Sequence, residues 1–200
     1  MNQEIEIEFK NLLSKDEYQL LLSEYNIQND DIISQQNHYF DTVSFALKEN
    51  GAALRIRYKK ETYTLTLKQP MTEGLLETHQ ELSETEASAM LQGGPLLQGD
   101  IYTIIKDLNI DTSEIRYLGT LETKRVELPY ENGLLVFDHS YYLNVEDYEL
   151  EYEAKSYHEG KVQFEKLLTQ HNIPARQTDN KIKRFFNEKK RQLEGSQLEY

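Results

Sequence analysis

The sequence predicts an α+β fold that is mainly β, in which a curved sheet closes into a barrel with a charged interior and helices packed outside. Three observations support this fold class. Several segments alternate strictly between charged and apolar residues, which is the period of a strand with one face of each kind. The charges on each such segment have largely one sign. Segments with helical spacing lie between the strands and can cover the apolar faces.

The first half of the chain begins with the alternating strand EIEIEFK, residues 4–10. A capping box of Ser14 and Glu17 then predicts a helix to about Tyr25. The next strands are predicted at residues 37–42, 53–59, 63–68 and 75–82. Two further helices are predicted: one opened by the capping box Ser83 and Glu86 and closed by Gly93-Gly94-Pro95, and one over about Asp100–Leu108.

The second half is rich in strands, which are predicted at residues 117–128, 134–139 and 148–155. Glu131-Asn132-Gly133 predicts a hairpin turn between the first two. Helices are expected from about Glu159 to Gln170 and from a cap at Thr178 to about Arg191. The pattern Glu-x-Glu-x-Glu-x-Lys occurs in both 4–10 and 149–155, and indicates two strands with similar roles in opposite halves of one sheet.

Length, composition and charge narrow the class of protein. The chain has 200 residues and no linker-like segment, so we expect one domain at 1–192 and a disordered tail at 193–200. It has no cysteine, no 18-residue apolar run and no secretory signal, which favours a cytoplasmic protein without membrane contact. A net charge of −13 disfavours DNA as a partner. Nothing in the sequence identifies a protein partner.

Each of these strands carries charges of mainly one sign, and this indicates whether its charged face points to solvent or to the interior. A half-buried sheet ordinarily turns its charged face to solvent. Here, however, 4–10 presents three glutamates on one face, whereas Arg55, Arg57 and Lys59 share a face of the next alternating strand. Such neighbours lie about 7 Å apart and repel unless opposite charges face them. Helices packed on the apolar faces would turn both sets of charges into a common interior.

An interior that holds both signs of charge has a direct chemical use. Arginine and lysine bind phosphate oxygens, and glutamates bind Mg²⁺ or Mn²⁺ through oxygen. A barrel lined by both therefore suits a complex of a divalent metal with a polyphosphate.

These segments resemble the CYTH, or triphosphate tunnel metalloenzyme, family, and most closely its small single-domain bacterial branch. The residues that carry the resemblance run in order along nearly the whole chain: the E-x-E-x-K motif Glu6-Ile7-Glu8-Phe9-Lys10, then Tyr39-Phe40-Asp41-Thr42, Leu54-Arg55-Ile56-Arg57, Thr66-Leu67-Lys68, Glu77, Arg125, Asp138, Glu149-Leu150-Glu151 and Asn180-Lys181.

The resemblance implies an eight-stranded antiparallel barrel, open as a tunnel, that hydrolyses a small triphosphate with Mg²⁺ or Mn²⁺. Inorganic triphosphate is the first expected substrate, followed by nucleoside or thiamine triphosphate. The implied catalytic carboxylates are Glu6, Glu8, Glu77, Glu149 and Glu151. The implied metal ligands are Glu6, Glu8, Asp138, Glu149 and Glu151. The implied phosphate contacts are Lys10, Arg55, Arg57, Lys68, Arg125 and Lys181. Two alternatives are a class IV-type adenylate cyclase and a non-catalytic barrel that binds polyphosphate or a phosphorylated ligand.

The sequence leaves several assignments open, because residues of similar type stand close together. The alternatives are Glu153 within the late acidic pair, Glu81 for Glu77, Lys183 or Arg184 for Lys181, and Lys124 for Arg125. His38, His79 and His139 are expected to be structural, since no pair of histidines has the spacing of a zinc site. Of the three, only His79 shares a strand face with Glu77 and is kept as a candidate.

Overall fold

The computed structural model describes residues 2–196, which fold into eight strands and six α-helices. The strands are β1 Asn2–Leu13, β2 Ile33–Asp41, β3 Ala53–Lys59, β4 Thr62–Pro70, β5 Leu75–Leu82, β6 Arg116–Tyr130, β7 Gly133–Tyr142 and β8 Val145–Ala154. The helices are α1 Lys15–Glu24, α2 Ala46–Glu49, α3 Glu84–Leu91, α4 Asp100–Asp107, α5 Tyr157–Gln170 and α6 Lys181–Ser196.

All eight strands pair antiparallel and close into one barrel, which confirms the predicted fold class. Their order is β1-β5-β4-β3-β2-β6-β7-β8, and β8 pairs with β1. The register places Lys10 opposite Glu151 and Arg125 opposite Asp138. Because residues on one strand alternate between faces, this register places these four side chains inside the barrel.

Most of the apolar side chains of the strands point outward and are covered by helices, whereas Ile5 of β1 is exposed. Leu54, Ile56 and Leu65 pack with Met90 and Ile101 of α3 and α4. On the other side of the barrel, strands β6–β8 pack against α1 and α5. Both predicted capping boxes are present, with each serine hydroxyl accepting from the amide of the glutamate three residues on. Helix cover on the outside is the reason that the charges face inward.

Helix α6 differs from its predicted start. Thr178 was expected to cap it, but the Thr178 hydroxyl instead accepts from the Leu12 amide and donates to the Arg176 carbonyl. Asn180 is the capping residue, since its Oδ1 accepts from the Lys183 amide at 2.9 Å. The helix runs on to Ser196, beyond the expected end at Arg191. Residues 197–200 of the expected tail lie outside the described part of the chain.

Two further differences concern pairing and local structure. The two strands that share the Glu-x-Glu-x-Glu-x-Lys pattern, β1 and β8, were expected in opposite halves of the sheet but are hydrogen-bonded neighbours. No sequence pattern predicts α2, because four residues are too few to show helical spacing. Asp41 anchors α2 by accepting from the amides of Leu47 and Lys48.

In the described part of the chain, no helix is long and apolar enough to cross a membrane.

The position of α6 depends on a close approach at Gly119. This glycine has φ +151°, and a Cβ at this position would lie 2.5 Å from Cζ of Phe185. We expect Gly119→Ala to lower the free energy of unfolding by about 1–3 kcal/mol more than Gly93→Ala, because only the first substitution overpacks a contact. Gly93 has φ +91° and open space around it, so it controls for backbone strain. Urea denaturation of both variants measures the difference, and equal losses would contradict the packing account.

Candidate active site

The inside of the barrel holds two cavities that share the side chains of Glu6, Arg55, Arg57 and Arg125. Together they are called the tunnel here. The helix-side half is lined in addition by Glu8, Lys10, Tyr39, Lys68, Glu151, Asn180 and Lys181, among others. The turn-side half is lined by the β6–β7 turn and by Glu4, Glu77, His79, Glu127 and Glu153, among others. Most of the predicted site residues therefore line one continuous interior.

Asp138, Glu149 and Glu151 form the acidic cluster, a group of three fully buried carboxylates on β7 and β8. Arg125 donates to both oxygens of Asp138, at 2.7 and 2.6 Å, and to Glu151 at 2.8 Å. The ammonium of Lys181 lies 2.8 Å from Asp138 and 2.6 Å from Glu151, and is also paired with Glu149. Cations from β6 and α6 thus neutralise the cluster.

Arg184 is a further cation at the acidic cluster, which the sequence offered only as an alternative to Lys181. Its guanidinium lies 2.5 Å from Glu149 and 2.9 Å from Asp147. Lys181 and Arg184 are three residues apart, so they lie on the same face of α6. Both side chains therefore contact the acidic cluster together, although the sequence presents them as alternatives.

The pKa values of the two buried glutamates of the cluster move in opposite directions. Burial raises the pKa of Glu149 to about 7, and the negative charge of Glu151 adds to the rise. For Glu151, the attraction of Lys181 and Arg125 outweighs burial and holds the pKa well below its usual range. Two carboxylates this close do not ionise independently, so the charge of the cluster depends on the cations around it.

A second ionic group connects β1, β4, β5 and β3. The ammonium of Lys68 lies 2.6 Å from Glu6 and is also paired with Glu77. Burial would raise the pKa of Glu77, but Arg55 and Lys68 outweigh burial and lower the pKa to about 2. Glu77 is therefore held as a carboxylate inside the tunnel.

Glu8 and Glu153 face each other across the β1–β8 pair. Glu8 is paired with Lys10. Glu153 has no salt bridge among the residues that the structure describes, and burial raises its pKa to about 7, an effect to which Glu6 and Glu151 contribute. Glu149, Glu151 and Glu153 thus all lie on the inner face of β8.

Arg55 and Arg57 are the least compensated cations of the tunnel. Arg55 comes no closer than 3.9 Å to Glu77, and its buried Nε has no hydrogen-bond acceptor within residues 2–196. Over the same residues, Arg57 forms no salt bridge and donates only from Nε to Asn37 Oδ1, at 2.9 Å. Burial, together with Arg55 and Arg125, lowers the pKa of Arg57 to about 9. These two guanidinium groups have donors available for an anion.

The structure decides between most of the alternatives that the sequence left open. Lys124 and Glu81 are exposed, whereas Arg125 and Glu77 are buried inside the barrel. Lys183 is exposed and paired with Asp179, so Lys181 is the lysine of α6 that enters the tunnel. Tyr39 and Asn180 also line the tunnel and had no assigned role. Both belong to segments that carry the family resemblance, Tyr39-Phe40-Asp41-Thr42 and Asn180-Lys181, which is the sequence signal that pointed to them.

The three histidines considered in the sequence lie in different surroundings. His38 is buried outside the tunnel lining and bonds Thr120 at 2.7 Å, and His139 stacks on Tyr148. His79 lies in the turn-side half, where Nε2 is 3.0 Å from Glu4 and Nδ1 is 3.0 Å from Thr66.

Two groups of side chains among the described residues could hold a metal ion. One is the acidic cluster, and the other is Glu4, Glu77 and His79. The acidic cluster offers only carboxylate oxygens, which is the donor chemistry of a hard divalent cation. The donor set thus fits the metal that the resemblance implies, although Lys181 stands among the same oxygens.

A closed eight-stranded antiparallel barrel with ionic groups of both signs inside defines the class of protein. The chain belongs to the CYTH domain family, whose model matches residues 4–186.

Individual relatives are similar over nearly the whole chain. "Putative triphosphatase YjbK" of Bacillus subtilis is 52% identical over 193 residues, which cover 96% of this chain and all of YjbK. A crystal structure of a "putative adenylate cyclase" from Bacillus halodurans is 45% identical with a TM-score of 0.90, covering 93% of this chain and all of that one. HpAC1 of Hippeastrum, a "putative adenylyl cyclase" described as having a dominant triphosphatase activity, is 26% identical with a TM-score of 0.74, covering 92% and 96%.

Proposed function

We propose that this protein is a divalent-metal-dependent triphosphatase that hydrolyses a small triphosphate inside the tunnel, with inorganic triphosphate as the first candidate substrate. The names of YjbK and of the Hippeastrum protein support the reaction class. The observation that carries the proposal is the pair of least compensated guanidinium groups, Arg55 and Arg57, inside a closed barrel that also holds several carboxylates.

Binding of the triphosphate is assigned to the cations of the tunnel. Arg55 and Arg57 lie where the two halves meet, so both can contact one extended polyanion. Lys10, Lys68, Arg125 and Lys181 stand around them and complete a set of phosphate donors. Guanidinium groups bind phosphate oxygens in pairs, which orients the chain of phosphates as well as holding it. Phosphoryl transfer depends mostly on such positioning and on neutralised charge.

The carboxylates are assigned to the metal and to the attacking water. Glu6, Glu8 and the acidic cluster would hold Mg²⁺ or Mn²⁺, because hard cations prefer oxygen ligands. Bound there, the metal would neutralise charge on the phosphates and favour ionisation of a water molecule. Glu77, kept ionised by Arg55 and Lys68, can accept a hydrogen bond from a water molecule in the tunnel.

Phosphate release from a panel of triphosphates tests this proposal. We expect turnover of inorganic triphosphate with Mg²⁺ or Mn²⁺, and loss of turnover in excess EDTA that either ion restores. Nucleoside and thiamine triphosphates in the same assay would rank the substrates. If the protein binds inorganic triphosphate but releases no phosphate with any divalent ion, the proposed hydrolysis is wrong and the protein is the non-catalytic barrel.

An adenylate cyclase is the second candidate, because the Bacillus halodurans structure carries that name at 45% identity. The two reactions differ in their products from ATP. A cyclase releases pyrophosphate and cyclic AMP, whereas a triphosphatase releases phosphate and ADP. Chromatography of the nucleotide products of Mg-ATP or Mn-ATP therefore separates the two candidates, and we expect ADP without cyclic AMP.

A further inference from the structure

Lys181 pairs with the same three carboxylates that could hold a metal ion. Its ammonium is within salt-bridge distance of Asp138, Glu149 and Glu151 together. All three carboxylates are completely or almost completely buried, and the side chain of Lys181 is 11% exposed. A small hard cation and this ammonium would therefore compete for the same oxygens.

The lysine comes from a helix, not from the barrel wall. Lys181 is the first residue of α6, and its neighbours Asn180 and Ile182 line the helix-side half of the tunnel. Arg184 and the buried Phe185 hold the helix in place one turn further on. The start of α6 can thus change its contacts while the rest of the helix stays docked.

We infer that Lys181 is an exchangeable counter-ion: a divalent cation that binds at Asp138, Glu149 and Glu151 displaces its ammonium, which then serves as a phosphate ligand in the helix-side half. This inference rests on the proposed function. It assigns to one side chain two successive partners, first the carboxylates and then the substrate. Lys10 and Arg125 line the same half, so the displaced ammonium enters an existing set of phosphate donors.

The exchange couples the metal to the triphosphate. Metal binding frees a cation for the substrate, and the substrate in turn holds that cation away from the carboxylates. By thermodynamic reciprocity, each ligand then strengthens the binding of the other by the same factor. Removing the ammonium should abolish this part of the coupling and leave the carboxylates open to the metal.

The first test measures Mn²⁺ binding by electron paramagnetic resonance without any substrate. We expect Lys181→Met to bind Mn²⁺ at least about fivefold more tightly than the wild type, the lower end of typical coupling between sites. Lys183→Met is the matched control, since Lys183 lies on the same helix but is exposed and paired with Asp179. Its affinity should equal that of the wild type. Unchanged or weaker binding by Lys181→Met would overturn the inference.

The second test observes the ammonium group itself by ¹⁵N NMR of lysine side chains. The Lys181 signal, identified by its absence in Lys181→Arg, should shift on addition of Mg²⁺, whereas the signal of Lys59, which is paired with Glu127, should not. A Lys181 signal that Mg²⁺ leaves unchanged would overturn the exchange. Both tests proceed without turnover, so a protein that hydrolyses no triphosphate would refute the proposed function and leave this competition measurable.

Discussion

Glu6→Gln is expected to abolish triphosphate hydrolysis, lowering kcat by roughly 10³-fold or more. The substitution keeps the shape of the side chain and removes one negative charge at the point where the two halves of the tunnel meet. Glu6 lies in the E-x-E-x-K motif and accepts from Lys68 at 2.6 Å. Charge stabilisation by a bound metal is worth several kcal/mol, and each 1.36 kcal/mol is tenfold in rate.

The strand itself supplies the control for this prediction. Glu4 lies two residues earlier on the same face of β1, pairs with His79 and is 68% exposed on its side chain. Glu4→Gln should therefore change kcat by no more than about threefold, because solvent already screens this charge. Thermal unfolding of both variants would show whether the barrel is intact. If the Glu6→Gln protein is folded and has wild-type turnover, Glu6 has no role in catalysis.

Much of the barrel is readable from the sequence, because strict alternation fixes which side chains share a face. Glu6, Glu8 and Lys10 lie inside because Ile7 and Phe9 must face the helices, and the two capping boxes mark where α1 and α3 begin. This local logic needs no knowledge of distant parts of the chain.

Contacts between distant residues were not predictable in the same way. Lys181 is 30 residues from Glu151 in sequence, and nothing local shows that the two meet. The choice between Lys181 and Arg184 was open because residues three apart share a helix face, and the structure uses both. Thr178 resembled a cap by type, but a hydrogen bond from Leu12 of β1 holds its hydroxyl, and Asn180 caps the helix instead.

Arg57→Met is expected to lower kcat/KM for the triphosphate by roughly 10²–10³-fold without destabilising the fold. A hydrogen bond to a charged group is worth about 1.5–3 kcal/mol, and this substitution removes several donors at once. The surroundings of the Arg57 guanidinium explain why the variant should remain stable. Arg57 has Arg55 and Arg125 nearby and no salt bridge in the described chain, and burial with this repulsion lowers its pKa. Replacing it with an apolar side chain removes both costs.

Loss of the bond to Asn37 leaves a buried acceptor unpaired and offsets about 1.5–3 kcal/mol of that gain, so the free energy of unfolding should stay nearly level. Lys59→Met is the matched control, since Lys59 lies two residues further on the same face of β3 and is paired with Glu127 at 2.8 Å. It should retain kcat/KM within about threefold. Inorganic triphosphate should also raise the Tm of the wild type and of Lys59→Met but not that of Arg57→Met, because a ligand stabilises only the protein that binds it. An Arg57→Met protein that unfolds easily yet hydrolyses triphosphate normally would make Arg57 a structural residue.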